Sequence, residues 1–213
     1  MIDNNASKYP VSSKLVTKAM GKVYMDNPTP DLNNVFKAFL LCPYDKLKVI
    51  WLGQDPYPQH AKATGLAFAN YISANDRYSP SLEVLRNSLR ESLAKQNKKG
   101  IFDPTLESWA KQGVLLLNSA LTTRVGQVGS HVMVWRPVIS SFLSKLSWIK
   151  PDLVYILSGS TANSFKPYIG DNIGVISTVH PSLCARTKTP FPDVFTEVNS
   201  VLNEHGKEEI IWA

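Results

Sequence analysis

Four short apolar runs divide the chain: residues 49–52 (VIWL), 114–117 (VLLL), 153–157 (LVYIL) and 175–179 (VISTV). Each is continuous rather than alternating, which predicts strands covered on both faces. Between them the apolar spacing changes to three and four residues. That spacing predicts helices over 81–95, 106–111, 137–146 and 161–168, and another over 193–203 after the last run. Strands alternating with helices imply parallel pairing, because a parallel neighbour is reached only by a crossover connection. The expected fold class is therefore α/β: a single domain over 1–213 with a central four-stranded parallel sheet flanked by helices on both faces.

Ahead of the first strand, residues 1–45 show two helical patterns, 12–20 and 32–41, punctuated by Pro28, Pro30 and Pro43. This stretch is expected to pack on the main body as an N-terminal helical extension. The Lys- and Asn-rich segment 95–100 reads as a solvated loop. No internal repeat or low-complexity tract interrupts the pattern.

The polar positions gather where the apolar runs stop. The first run ends in Gly53-Gln54-Asp55-Pro56-Tyr57-Pro58, the second in Asn118, the third in Ser158-Gly159-Ser160, and the fourth in His180-Pro181-Ser182. In an open parallel sheet, ligands bind beyond the carboxyl ends of the strands. Four turns in register would bring these groups to one edge. Read singly, each residue has a structural alternative. Asp55 before Pro56 suits an Asx-turn. Asn118 suits a cap, although an amide closing an apolar strand is costly unless paired. His180 suits a structural hydrogen bond, and Phe68 the core. Ser81 and Ser160, at predicted helix starts, suit N-caps. The same helix ends favour anions, because free N–H groups and the dipole both point outward there.

Charge and cysteine content narrow the picture. Lys and Arg number 23 against 17 Asp and Glu, a net charge of +6. That balance suits a polyanionic partner without establishing one. Cys42 and Cys184 show no metal-ligand spacing, and two thiols cannot hold a structural zinc or an iron–sulfur cluster. They are expected to be reduced thiols. The polar start MIDNNASKYP lacks a signal-peptide core, and no apolar run approaches the ~18 residues of a membrane span. A soluble protein inside the cell is expected.

The motifs GQDPYP (53–58), GLAF (65–68), QGVLLLNSALT (112–122), SGS (158–160) and VHPSL (179–183), in this order, resemble the family 1 uracil-DNA glycosylases. So does the closing Ile210-Ile211-Trp212. The resemblance covers residues 49–212. The resemblance implies hydrolysis of the N-glycosidic bond of deoxyuridine in DNA, releasing uracil and leaving an abasic site, without metal or cofactor. It implies that Asp55 stabilises the sugar cation and orients water, and that His180 stabilises the uracil anion at O2. It places Asn118 on the uracil edge, Tyr57 against C5 to reject thymine, Phe68 as the stacking ring, and Gln54 at the base through its backbone. By the same resemblance Ser81, Ser160 and Ser182 contact the DNA backbone; Arg186 and Lys188, basic residues just past the His180 turn, are expected phosphate partners from their position. Uracil-containing DNA, single- or double-stranded, is the implied partner, a DNA-mimicking protein inhibitor is a further one, and a monomer is expected.

Two positions depart from the family pattern. Pro58 stands where family members commonly carry His. Leu183-Cys184 stands where Pro-Leu is common, so the leucine that wedges into the base stack is one place early. Two rival readings follow: a DNA-binding module that has lost catalysis, and a glycosylase with a broader base preference. Intact Asp55, Asn118 and His180 argue against the first, and intact Tyr57 and Asn118 against the second.

Overall fold

The computed structural model describes residues 5–71 and 77–213. The four apolar runs form strands β2 (Val49–Gly53), β3 (Val114–Asn118), β5 (Val154–Ser158) and β6 (Gly174–Thr178). They make one parallel sheet in the order β3-β2-β5-β6. Every residue of β2, β3 and β5 is buried, as continuous apolar runs require. Strand β6 corrects the expectation: it leaves Ser177 exposed and only Ile176 and Thr178 buried, whereas β3, at the other edge, is covered throughout.

Two further short strands, β1 (Pro28–Thr29) and β4 (Thr123–Arg124), pair antiparallel outside the main sheet. Nothing in their composition signals a strand, and the pairing joins residues far apart in sequence. Helices α3 (Pro80–Lys95), α4 (Glu107–Lys111) and α8 (Val194–Glu204) lie within a few residues of their expected bounds. Helix α5 (Val132–Ile149) begins more than a turn before the expected start, with Pro137 inside it on the exposed side. Its buried stripe is Trp135, Val138, Ile139, Phe142, Leu143 and Leu146, a spacing of three and four. The expected 161–168 helix splits into α6 (Ser160–Asn163) and a 3₁₀ turn, Lys166–Tyr168, and α7 (Pro181–Thr187) follows β6.

The N-terminal stretch contains α1 (Ser13–Val23), and α2 (Lys37–Leu41) after a 3₁₀ turn. It is joined to the body by apolar and polar contacts alike. Phe39 packs edge-on against Phe142 of α5 and Phe36 edge-on against Trp135, and the Asp26 carboxylate accepts Arg124 Nε–H at 2.7 Å. Among the described residues no helix is long and apolar enough to cross a membrane.

Candidate active site

Register brings the strand ends together. Gly53 stands opposite Asn118, and Ser158 opposite Thr178. The chain leaves β2 toward β3 on one side and leaves β5 toward β6 on the other. The crevice between β2 and β5 is thus the topological switch point, where such sheets bind ligands. A broad cleft of about 1570 Å³ opens there. At its floor a narrow pocket is lined by Asp55, Tyr57, Phe68, Ser81, Asn118 and His180. Five of the six expected catalytic and base-binding residues therefore share one small space.

The turns after β2 and β3 are laced together. Ser119 N–H donates to the Gly53 carbonyl at 3.0 Å, and Ala120 N–H and the Ser119 hydroxyl both donate to the Gln54 carbonyl at 2.9 and 2.7 Å. The Gln54 side chain accepts from Thr161 at 3.2 Å. Gln54, the sixth of those residues, shapes the loop and lines the cleft rather than the inner pocket.

Asp55 is half-buried, and that burial pushes its carboxyl above the ordinary 3.8. The hydrogen bond from Gly129 N–H opposes that rise, helped by the nearby polar side chains of Thr123 and Gln54. The Gly129 bond to Oδ2 is 2.5 Å. Burial also moves His180, in the opposite direction: it drops below 6.5, with nearby Arg186 adding to the effect. The imidazole is therefore neutral at neutral pH, and its tautomer follows from its partners. Ser182 N–H can only donate, and it donates to Nδ1 at 3.2 Å. The ring proton must then sit on Nε2. Gly159, at φ +91°, lets the imidazole lie close: a Cβ there would come within 2.9 Å of the His180 Cβ.

The aromatic wall is rigid. Phe68 is 6% exposed and sits at φ +69°, a left-handed conformation that a bulky residue rarely adopts. Its ring centroid lies 5.3 Å from that of Trp51 and 5.9 Å from that of His180. The Tyr57 hydroxyl donates to the Phe68 carbonyl at 2.9 Å and receives the Ser79 hydroxyl at 2.7 Å. Buried Asn118 makes no side-chain hydrogen bond among the described residues, so its donor and acceptor both remain for a ligand.

The expected DNA contacts divide. Ser160 and Arg186 are exposed on the cleft wall. Ser182 also lines the cleft, with its hydroxyl 2.8 Å from His180 Nδ1. Ser81 is buried at 5% and lines the inner pocket; the cap of α3 is Ser79, whose hydroxyl accepts Leu82 N–H. Ser160 is the first residue of α6, not its cap, which is Gly159. Leu183 is 38% exposed beside the cleft, whereas Cys184 is 2% exposed with its thiol 3.5 Å from the Pro190 carbonyl. The leucine faces outward despite its shifted place. Sequence reading missed Gly53, Ser79 and Gly129. For Gly129 the only trace is the pair Gly126 and Gly129, both at positive φ, between β4 and α5.

Comparison with known proteins gives this architecture its class. Residues 39–203 match the model of the uracil DNA glycosylase superfamily. The chain belongs to that superfamily. A uracil-DNA glycosylase of Fusobacterium nucleatum is 35% identical over 189 residues, covering 86% of this chain and 80% of that protein. One of Campylobacter jejuni is 38% identical over 186 residues, with 86% and 78% covered. Among solved structures, mimivirus uracil-DNA glycosylase superposes with a TM-score of 0.75 at 22% identity, covering 99% of this chain and 90% of that one. A substituted mimivirus UNG in complex with UGI gives a TM-score of 0.80 at 24% identity, covering 97% and 86%.

Proposed function

We propose that this protein hydrolyses the N-glycosidic bond of deoxyuridine in DNA, as its named relatives do, initiating base excision repair. One observation carries the reading: a half-buried carboxylate, a neutral imidazole, an unpaired amide and a pinned aromatic wall line one narrow pocket at the floor of the cleft. The flipped uracil stacks on Phe68. The Asn118 amide donates to O4 and accepts from N3–H, a pattern that cytosine reverses. Tyr57, held at its hydroxyl from two sides, occupies the space that the thymine methyl would need.

As the bond between C1′ and N1 breaks, its electron pair passes to the base and positive charge develops on the sugar. His180 Nε2–H donates to O2 of the leaving anion, and the Asp55 carboxylate faces the sugar cation. Water adds to C1′ and yields its proton to the carboxylate. Ser160, Ser182, Arg186 and Lys188 hold the backbone phosphates, which makes binding fall with salt. We place the monomer wherever DNA is held, cytoplasm or nucleus. An inhibitor protein that presents acidic groups like those of DNA would compete for the same cleft. The test is alkali-sensitive cleavage of strands carrying one U, T or C. Cleavage at U alone supports the reading; cleavage at none would turn it to a DNA-binding module, and cleavage at T or C to a broader glycosylase.

The two shifted ionisations define a pH profile. The raised Asp55 titrates above 3.8 and must be charged; the lowered His180 titrates below 6.5 and must be neutral. Both requirements fail on the acid side. The rate of uracil release should climb through that interval and stay flat through neutral pH, as measured by single-turnover kinetics. A decline above pH 7 traced to His180 would contradict the neutral-donor role.

Leu183 is the apolar group positioned to fill the gap that a departing base leaves. Leu183→Ala should slow release from duplex DNA on the order of tenfold and from single strands little, because a single strand has little stacking to disrupt. Equal losses on both substrates would remove the wedge role.

A further inference from the structure

The loop over residues 125–130 carries the Gly129 N–H that binds Asp55, yet its anchors lie in the N-terminal segment. Buried His131, 2% exposed, spans the base of the loop. Its Nε2–H donates to Asp26 Oδ2 at 2.8 Å, and its Nδ1 lies 2.9 Å from the Thr122 hydroxyl, which accepts Trp135 Nε1–H at 2.7 Å. Asp26 Oδ1 also accepts Arg124 Nε–H at 2.7 Å. The adjoining residues continue the grip. Val125 N–H donates to the Asn27 carbonyl at 3.0 Å, and Pro28 and Thr29 pair with Arg124 and Thr123. Inside the loop, Thr123 donates to the Gln127 carbonyl at 2.7 Å, Arg124 N–H donates to the Ser130 hydroxyl at 2.7 Å, and Gly126 N–H donates to the Pro58 carbonyl at 2.8 Å.

We propose that Asp26 is a positioning residue of the active site: through His131 and Arg124 it fixes the 125–130 loop, so that Gly129 N–H holds the Asp55 carboxylate in its working place. The inference rests on the glycosylase reading for its catalytic consequence and on geometry for its structural one. It gives the N-terminal segment a role in the chemistry rather than in packing alone. The loop needs such an anchor. Gly126 and Gly129 sit at φ +80° and +76°, so its backbone has few side chains to hold it, and Val128 at its tip is exposed on the cleft wall. His131 and Arg124 both converge on the Asp26 carboxylate. Without it the two would lose their common partner, and the turn bearing Gly129 would be free to drift from Asp55. A displacement of about 1 Å at a catalytic group can cost about 10²-fold.

The experiment compares wild type, Asp26→Ala and the milder Asp26→Asn, in which an amide oxygen still accepts from His131. Hydrogen exchange of the Gly129 amide reads the clamp whether or not the protein is active. Asp26→Ala should speed that exchange at least about tenfold while the amides of β2 and β5 keep their wild-type protection. Single-turnover uracil release should fall about 10²-fold in kcat with KM little changed, and less in Asp26→Asn. In an Asp55→Asn background, Asp26→Ala should add no further loss, because it acts through that carboxylate. Unchanged Gly129 exchange, a loss confined to KM, or losses that multiply in the double variant would overturn the proposal. Loosened Gly129 exchange in a protein that releases no uracil would uphold the clamp and sink the glycosylase reading instead.

Discussion

Asp55→Asn should lower uracil release on the order of 10³-fold while the protein folds as before and still binds DNA. The substitution keeps the shape of the side chain and one oxygen to accept Gly129 N–H, so it isolates the charge. That charge is maintained against burial. Desolvation pushes the carboxyl above its ordinary value, and the bond from Gly129 N–H opposes that rise. A protein does not gain stability from a carboxylate held in this way, since a neutral amide would sit in the same place without the desolvation cost. The arrangement makes sense where a cation must be met, and the sugar of a breaking N-glycosidic bond is one. The neutral asparagine offers the cation no charge and gives the water no base. Single-turnover release and the melting temperature, measured together, decide it. A comparable rate for the variant would mean that His180 and the binding contacts do the work, and that Asp55 only shapes the turn before Pro56.

How far such a site is legible in the sequence depends on whether its parts are local. The strands were legible because continuous apolar runs have few other uses, and the polar groups at their ends share an edge because parallel strands all point one way. The motifs placed Asp55, Tyr57, Phe68, Asn118 and His180, and all of them line one pocket. What stayed hidden depends on distance or on backbone geometry. The bond between His131 and Asp26 joins residues 105 positions apart and leaves no spacing to read. The left-handed φ of Phe68 is a tertiary outcome, since the type of residue argues against it. Ser81 looks like an exposed helix start in the sequence, but α3 begins beneath the Tyr57 hydroxyl and buries it. The outward aim of Leu183 could not be read either. It follows from the placement of Pro181 and Cys184, three apart on α7, on the buried side of that helix.

Gly53→Val should abolish productive uracil binding, and Gly53→Ala should lower kcat/KM about 10²-fold, chiefly through KM. No conformational freedom is at stake, because Gly53 does not adopt a positive φ. Space is the reason for the glycine. A Cβ at this position would come within 2.8 Å of Asn118 Oδ1 and 3.2 Å of Phe68 Cζ. Those are the atoms that hydrogen-bond and stack the base in the proposed pose. Neither can withdraw freely. Asn118 is fixed by strand register directly opposite Gly53, and the Phe68 ring is backed by Trp51. The added methyl group must therefore displace the recognition edge, the stacking ring, or both. Gly21→Ala is the control. Gly21 lies on the exposed face of α1, where a Cβ would meet nothing within 4 Å, and alanine there should raise stability by about 0.5–1 kcal/mol and leave kinetics alone. Uracil affinity measured directly, by the free base as a competitive inhibitor, separates the two effects. Weakened inhibition in Gly53→Ala with an unchanged melting temperature locates the damage in the slot. Unchanged inhibition would mean that uracil does not lie between Asn118 and Phe68, and the proposed pose would have to be abandoned.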